Sequence, residues 1–219
     1  MISIGYVGEE AFDVILYASR ILAKLNYEVL IIDVSDSNSL FRAIYHGMEL
    51  NSTEHIVYYR GINYIKRIPL KEEWQAFSDG ITFIVFGYQD PKNFFFPCNE
   101  MIAVINPFPH VIDKMNHLLS NSKESLISRL LIRDIIDMND FDRVKNAITF
   151  PVAKECFDLL YMDYGDYGSA INCQVTQVIR FTDISIGLMK YLINLILFLL
   201  PNMNPKLIRN TIKVVRRGW

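Results

Sequence analysis

Cysteine is scarce in this chain, and the few present stand far apart. Cys98, Cys156 and Cys173 show no paired spacing, so neither a disulfide framework nor a zinc site is indicated, which fits a reducing compartment. The four histidines, His46, His55, His110 and His117, lack the i, i+4 or cysteine-rich spacing of a metal site. His110 and His117 lie two turns apart on one expected helix face and read as surface residues. No nucleophile–base pair or triad signature is present, and no metal or cofactor is expected. An excess of one charge is also missing. The 22 basic and 24 acidic residues leave a net charge of −2, with no global signal for a nucleic-acid partner. No basic segment precedes the first apolar run, so no signal peptide is expected and a cytoplasmic protein is the default. Low-complexity linkers and internal repeats are lacking too.

What the chain does have is apolar and aromatic bulk. Hydrophobic residues make up 51% and aromatics 13% of 219 residues, enough for one α/β domain with a substantial core and too many for disorder. Strands are expected at Ile2–Gly5, Val29–Asp33, Ile62–Lys66, Ile81–Phe86, Ile102–Ile105, Leu130–Ile135 and Phe157–Tyr161. Helical or mixed stretches separate them, including Ala11–Leu25, Lys71–Phe77, His110–Leu119 and Phe141–Ala147. Several strands are continuous apolar runs, as expected when helices cover both faces of a parallel sheet. The alternation predicts an α/β fold with a doubly wound, mainly parallel sheet flanked by helices. Its ligand crevice would lie at the C-terminal strand ends.

The first forty residues are the most specific. A short strand, Ile2–Gly5, meets a glycine-bearing turn, Gly5-Tyr6-Val7-Gly8. A helical pattern follows, and then a strand ending on Asp33. This is the opening of a phosphate-binding βαβ unit. A working P-loop places a Lys on the phosphates and a Ser/Thr hydroxyl on Mg²⁺. Here Glu9 and Glu10 occupy those places. A carboxylate repels a triphosphate and reverses the sign of the helix N-terminus as an anion site. In the first helical turn the same carboxylates complement the helix dipole instead.

The segment Gly5–Leu40 resembles the start of the MinD/ParA family of deviant Walker ATPases, which have the SIMIBI-class P-loop fold. Those proteins open with a strand, KGGVGKTT, a helix, and a strand ending in a motif like IDLDPQ. Laid on that pattern, Gly5 and Gly8 match two of the glycines, and Tyr6 replaces the middle one. Ile4 replaces the signature lysine, Glu9 the Walker lysine, and Glu10 and Ala11 the two threonines. Asp33 matches the first Asp of the second strand, while Ser35 replaces the second. Ile81–Phe86 resembles the Walker B strand, with Gly87 where the Mg²⁺-associated Asp would stand. Beyond this, Ile102–Ile105 with Asn106-Pro107, Leu130–Ile136 and Phe157–Met162 are similar to later strands of the family, more loosely.

The C-terminal forty residues differ in character. Ile184–Leu200 is strongly apolar, interrupted by Ser185, Lys190 and Asn194. It is short for a bilayer span, which needs about 20 apolar residues, and the interior Lys and Asn favour a buried helix. Residues 201–219 read as a second unit, appended to a domain over residues 1–200, with its helix over Pro205–Trp219. Pro205 suits a first helical turn. Leu207, Ile208, Thr211, Ile212, Val214, Val215 and Trp219 then fall on one face, with Arg209, Asn210, Lys213, Arg216 and Arg217 on the other. Such a basic amphipathic helix is the composition of an interfacial anchor, and the resembled family carries a membrane-targeting helix at its C-terminus. The same face could instead dock on its own domain or on a partner. Leu207, Ile208, Ile212, Val215, Arg216, Arg217 and Trp219 are the expected docking residues.

Three other stretches carry weaker signals. Asp134, Asp137, Asp140 and Asp142 read as a solvated loop and helix start. Asp163-Tyr164-Gly165-Asp166-Tyr167-Gly168 reads as a turn whose tyrosines could serve recognition. In Phe94-Phe95-Phe96, at least one ring must be covered by another segment or exposed to a partner.

The resemblance implies a non-catalytic MinD/ParA-like pseudo-ATPase. It would act as an adaptor or spatial organiser of a cell-envelope, secretion, pilus or division machine, with protein partners. Homodimerisation through the former nucleotide face and contact with an anionic membrane at its inner face would follow from the same likeness. The degenerate pocket comprises Gly5, Gly8, Glu9, Glu10, Asp33 and Gly87. Two alternatives stand beside this reading. One is a nucleotide-binding ATPase with a non-standard site. The other is a membrane-associated structural component whose Ile184–Leu200 segment inserts.

Overall fold

The computed structural model describes residues 1–44, 56–65, 72, 79–95, 97–120, 127–153 and 156–217. The described residues build one eight-stranded sheet: β1 (Ile2–Gly8), β2 (Val29–Asp33), β3 (Ile56–Tyr59), β4 (Ile62–Ile65), β5 (Ile81–Gly87), β6 (Glu100–Ile105), β7 (Arg129–Ile135) and β8 (Phe157–Tyr161). Their order across the sheet is β3-β4-β2-β5-β1-β6-β7-β8. Every pairing is parallel except β3 with β4. The helices are α1 (Phe12–Lys24), α2 (Ser39–Ile44), α3 (Pro109–Leu119), α4 (Met138–Ala147), α5 (Tyr164–Thr176), α6 (Ile186–Leu199) and α7 (Pro205–Val215). The doubly wound α/β expectation therefore holds.

The continuous apolar runs have the predicted cause. Successive side chains of a strand point to opposite faces, and here both faces are buried. Ile4 and Tyr6 face one cluster with α1, α6 and α7, while Val7 faces the other with α3. Val29 and Ile31 separate from Leu30 and Ile32 in the same way, as do Phe83 and Val85 from Ile84 and Phe86. A strand buried on both faces shows no polar alternation, so only its length and the turns around it mark it in sequence.

Strand β3 was not expected. It forms a hairpin with β4 through Arg60 and Gly61, which have φ of 51° and 86°. Positive φ at both central residues is the two-residue turn that matches strand twist. A Gly after a β-branched and aromatic run was the signal available. Helix α2 was missed as well. The expected helix at Lys71–Phe77 falls almost wholly outside the described residues, as do His46 and His55.

The Asp-Tyr-Gly repeat is a helix start rather than a free turn. Asp163 caps α5 by accepting from the Gly165 and Asp166 amides at 2.8 and 3.2 Å, the usual task of Asp at that position. Asp137 caps α4 from the amides of Asn139 and Asp140. Phe94 packs against Phe86, 5.4 Å between ring centres, Phe95 is half exposed, and Phe96 is outside the described residues.

The apolar segment before Pro201 forms α6, whose Leu188, Leu192, Leu195, Ile196 and Leu199 are buried in the core. Among the described residues no helix is long and apolar enough to cross a membrane. Helix α7 joins the same core: Ile208, Ile212 and Val215 have no exposed surface. They pack in the cluster that includes α1 and α6. The chain just before α6 is tied to the end of α7, because the Phe181 amide donates to Arg216 O at 3.0 Å.

Candidate functional site

The expected phosphate turn at Gly5–Gly8 does not exist as a turn. Strand β1 runs through Gly8, and Gly5, Tyr6 and Val7 are laddered to β5 on one side and β6 on the other. Tyr6 is buried with its ring 6.2 Å from Phe83. The cause is the central position of β1: backbone buried between two strands is satisfied by pairing with them. Only Glu9, Glu10 and Ala11 connect β1 to α1. Gly8 has φ +108°, and a Cβ there would lie 2.2 Å from Val104 O, so only glycine fits. The Glu9 amide is already committed to Val104 O at 2.9 Å. The connection is a tight corner in place of a loop of free amides.

Both carboxylates beyond this corner have protein partners. Tyr88, just past β5, donates its hydroxyl to Glu9 Oε1 in a short hydrogen bond. Lys114 of α3 sits 3.3 Å above the centre of the Tyr88 ring, a cation–π contact that steadies the donor. Ser39, the first residue of α2, donates to Glu10 Oε2 at 2.5 Å. Gly87 has φ +55°, and a Cβ there would lie 2.9 Å from Ser35 Cβ. An Asp restored at position 87 would therefore meet the Ser35 side chain.

Asp33 closes the group. Its Oδ1 accepts from the Ser35 amide at 3.0 Å and the Ser35 hydroxyl at 2.5 Å. Its Oδ2 is buried without a well-formed hydrogen bond. Burial pushes the Asp33 carboxyl above its usual range, the Ser35 bonds oppose this, and nearby Glu10 adds to the rise. A raised native pKa means that the folded state holds a proton the unfolded chain has released. Stability from this group is therefore lost as pH rises from the free carboxyl value, about 3.9, through the native one. Asp33→Asn should stabilise the protein at neutral pH, on the order of 1 kcal/mol. That advantage should fade toward pH 4, read as melting temperature against pH; an equal effect at every pH would contradict it.

The acidic corner continues toward β7. Arg133 reaches across to α1 and forms a two-pronged pair with Asp13, at 2.7 and 2.8 Å. It also donates to Glu10 O at 2.9 Å. The side chains are only 15% and 2% exposed. Burial works against the Arg133 charge, and Asp13 overcomes it, holding the guanidinium more firmly protonated than usual. The pairing of β7 with β8 is irregular between Ile132 and Ile135, and Asp134 there has φ +60°. Such a bulge re-aims side chains, and Asp tolerates this backbone region better than most residues. Asp134 accepts a short hydrogen bond from the Tyr167 hydroxyl.

Between α1, the ends of β7 and β8, and α5 lies a cavity of about 290 Å³. Glu9, Glu10, Asp13, Asp134, Asp163 and Asp166 line it, with Arg133 as the one cationic lining residue among those described. Asp166 is held by the Ser185 amide and hydroxyl at 2.6 and 2.7 Å. The cavity is anionic, which suits a cation and opposes a phosphate.

The expected docking residues divide. Ile208, Ile212 and Val215 are interior, Leu207 is half exposed, Arg217 is exposed, and Trp219 is outside the described residues. Arg216 donates to Thr182 O in a short contact. Gly8, Glu9, Glu10, Asp33 and Gly87 cluster around the C-terminal ends of β1, β2 and β5, whereas Gly5 lies in the middle of β1 against Met101 and Phe86. Sequence reasoning missed Asp13, Ser39, Tyr88 and Arg133. A lone Arg inside the apolar run Leu130–Ile135 was the one signal available, because a charge there needs a partner.

Solved structures match this fold. The MinC:MinD cell division protein complex of Aquifex aeolicus superposes with a TM-score of 0.56 at 10% identity, covering 81% of this chain and 86% of that one. A ParA family ATPase from Chlorobium tepidum gives 0.55 at 13% identity, covering 96% of each chain. MinD of Aquifex aeolicus gives 0.52 at 13%, covering 81% and 87%. The chain has the MinD/ParA-like, P-loop NTPase-like fold. No protein-family model and no curated protein matches the sequence.

Proposed function

We propose that the chain is a pseudo-ATPase of MinD/ParA-like fold that works by binding, as an adaptor or spatial organiser in a larger protein assembly. The observation that carries this reading is the occupied corner between β1 and α1. Glu9 is bonded to Tyr88 and Glu10 to Ser39, and the strand runs through the residues that would form a phosphate loop. A nucleotide would have to displace these bonds and face at least two carboxylates. Losing a Walker lysine alone removes charge-assisted bonds of about 1.5–3 kcal/mol each.

Purified full-length protein should show no Mg²⁺-dependent ATP turnover. The variant Glu9→Lys with Glu10→Thr should show none either, because β1 still lacks a phosphate loop and Gly87 still lacks the carboxylate. Turnover that disappears on Asp33→Ala would overturn the reading.

The exposed side of α7 carries Lys206, Arg209 and Lys213, with exposed Arg217 just past its end, and contact with an anionic membrane at the cytoplasmic face would use that basic side. Ile208, Ile212 and Val215 of the apolar side would be available only if α7 left the core. Homodimerisation belongs to the same proposal and draws on the fold likeness alone.

A further inference from the structure

The acidic cavity opens beneath an apolar surface that no other described residue covers. Helix α5 presents Tyr164, Tyr167, Ile171 and Val175 outward at helical spacing, with Tyr164 91% and Val175 76% exposed. The loop before α4 adds Ile136, 75% exposed, beside half-exposed Met138. Tyr161 joins the two groups, since its hydroxyl meets Met138 Sδ at 3.3 Å. Tyr161, Tyr167 and Ile171 also line the cavity itself. Exposed apolar side chains gathered around one cavity mouth mark an interaction site more often than scattered ones do.

The geometry points to a docking site for a protein segment that inserts an arginine or lysine into this cavity while its apolar neighbours cover the α5 face. Charge complementarity selects the occupant. Asp13 is neutralised by Arg133 and Asp166 is capped by Ser185. Glu9, Glu10 and Asp163 accept hydrogen bonds from neutral donors and form no ion pair with a described lining residue, and Asp134 shares the charge of Arg133 with Asp13. Tyrosine walls add a favourable surface for a cation. A free polyamine would satisfy the carboxylates and leave the α5 stripe and Ile136 bare, so the breadth of the apolar surface favours a protein. The inference rests on the reading that the molecule works by binding, and it names the binding face.

The test is a ¹⁵N NMR titration of the full chain. The probe is a leucine–arginine–leucine peptide, acetylated and amidated; the comparators are its leucine–glutamate–leucine counterpart and spermidine. The arginine peptide should shift resonances of Asp134, Asp163, Tyr167 and Ile171, and the glutamate peptide should not. Asp134→Asn with Asp163→Asn removes two charges while keeping residues suited to the positive φ and to the helix cap. That variant should bind about tenfold more weakly. Tyr164→Ala should weaken binding to a similar extent, about tenfold, at unchanged melting temperature.

Absence of shifts at these residues, or equal binding of the glutamate peptide, would overturn the proposal. Tighter binding of spermidine would assign the cavity to a free polyamine and overturn it as well. Shifts of the same resonances with protein concentration alone would give the face to a second copy, with the same consequence. Saturable binding of Mg·ATP would remove the pseudo-ATPase reading and leave the peptide result standing, so the two failures are distinguishable.

Discussion

Arg133→Met should lower the stability of the full chain by about 3–5 kcal/mol, read from a urea titration. The substitution keeps most of the side-chain volume and deletes the charge. It leaves Asp13, whose side chain is 2% exposed, as a buried carboxylate without its cation, and it strips a donor from Glu10 O. Removing one member of a buried pair costs more than the pair contributes, because the remaining charge is stranded. Asp13→Leu combined with Arg133→Met should therefore recover much of the loss, a coupling that a double-mutant cycle measures. A loss below about 1 kcal/mol, the range of exposed pairs, would show that Arg133 does not hold the α1 start as described.

Ending the chain at Asn204 should abolish cooperative folding. The deletion removes α7 and with it Ile208, Ile212 and Val215, all with no exposed surface. Each contributes about 1.5–3 kcal/mol by burial, and the vacated face of α1 and α6 would be opened to water. The sum approaches the total stability of an ordinary domain, about 5–15 kcal/mol. Calorimetry should show a sharp thermal transition for the full chain and none for the shortened one. A shortened chain that melts as the full chain does would mean that α7 is an appendage, free to dock elsewhere. Lys213→Glu with Arg217→Glu changes only exposed charges and should leave the transition within about 0.5 kcal/mol of the parent.

The fold was largely legible because its strands are apolar runs separated by helical periodicity. All seven expected strands are present within a few residues of their expected limits. What failed was local. β3 is short and lacks a flanking helical pattern, so only its turn identifies it. The Asp-Tyr-Gly repeat carries turn chemistry because a helix N-cap uses the same Asp geometry as a turn.

The site was legible in its members and misread in its shape. Glu9, Glu10 and Asp33 do converge, yet Gly5 to Val7 are strand, since glycines aligned on a loop pattern say nothing about whether neighbouring strands will pair with them. Amphipathicity identified α7 and could not say what its apolar side touches; Ile208, Ile212 and Val215 would read the same facing lipid, a partner or α1. The partners Tyr88, Ser39 and Arg133 come from distant segments, and no spacing rule links them to the first helix.

The occupied corner makes one demand that is measured directly. Titration of Mg·ATP into the full chain, followed by calorimetry, should give no saturable heat and no change in melting temperature at millimolar nucleotide. Saturable one-to-one binding in the micromolar range, strengthened by Mg²⁺ and lost on Asp33→Ala, would contradict the account.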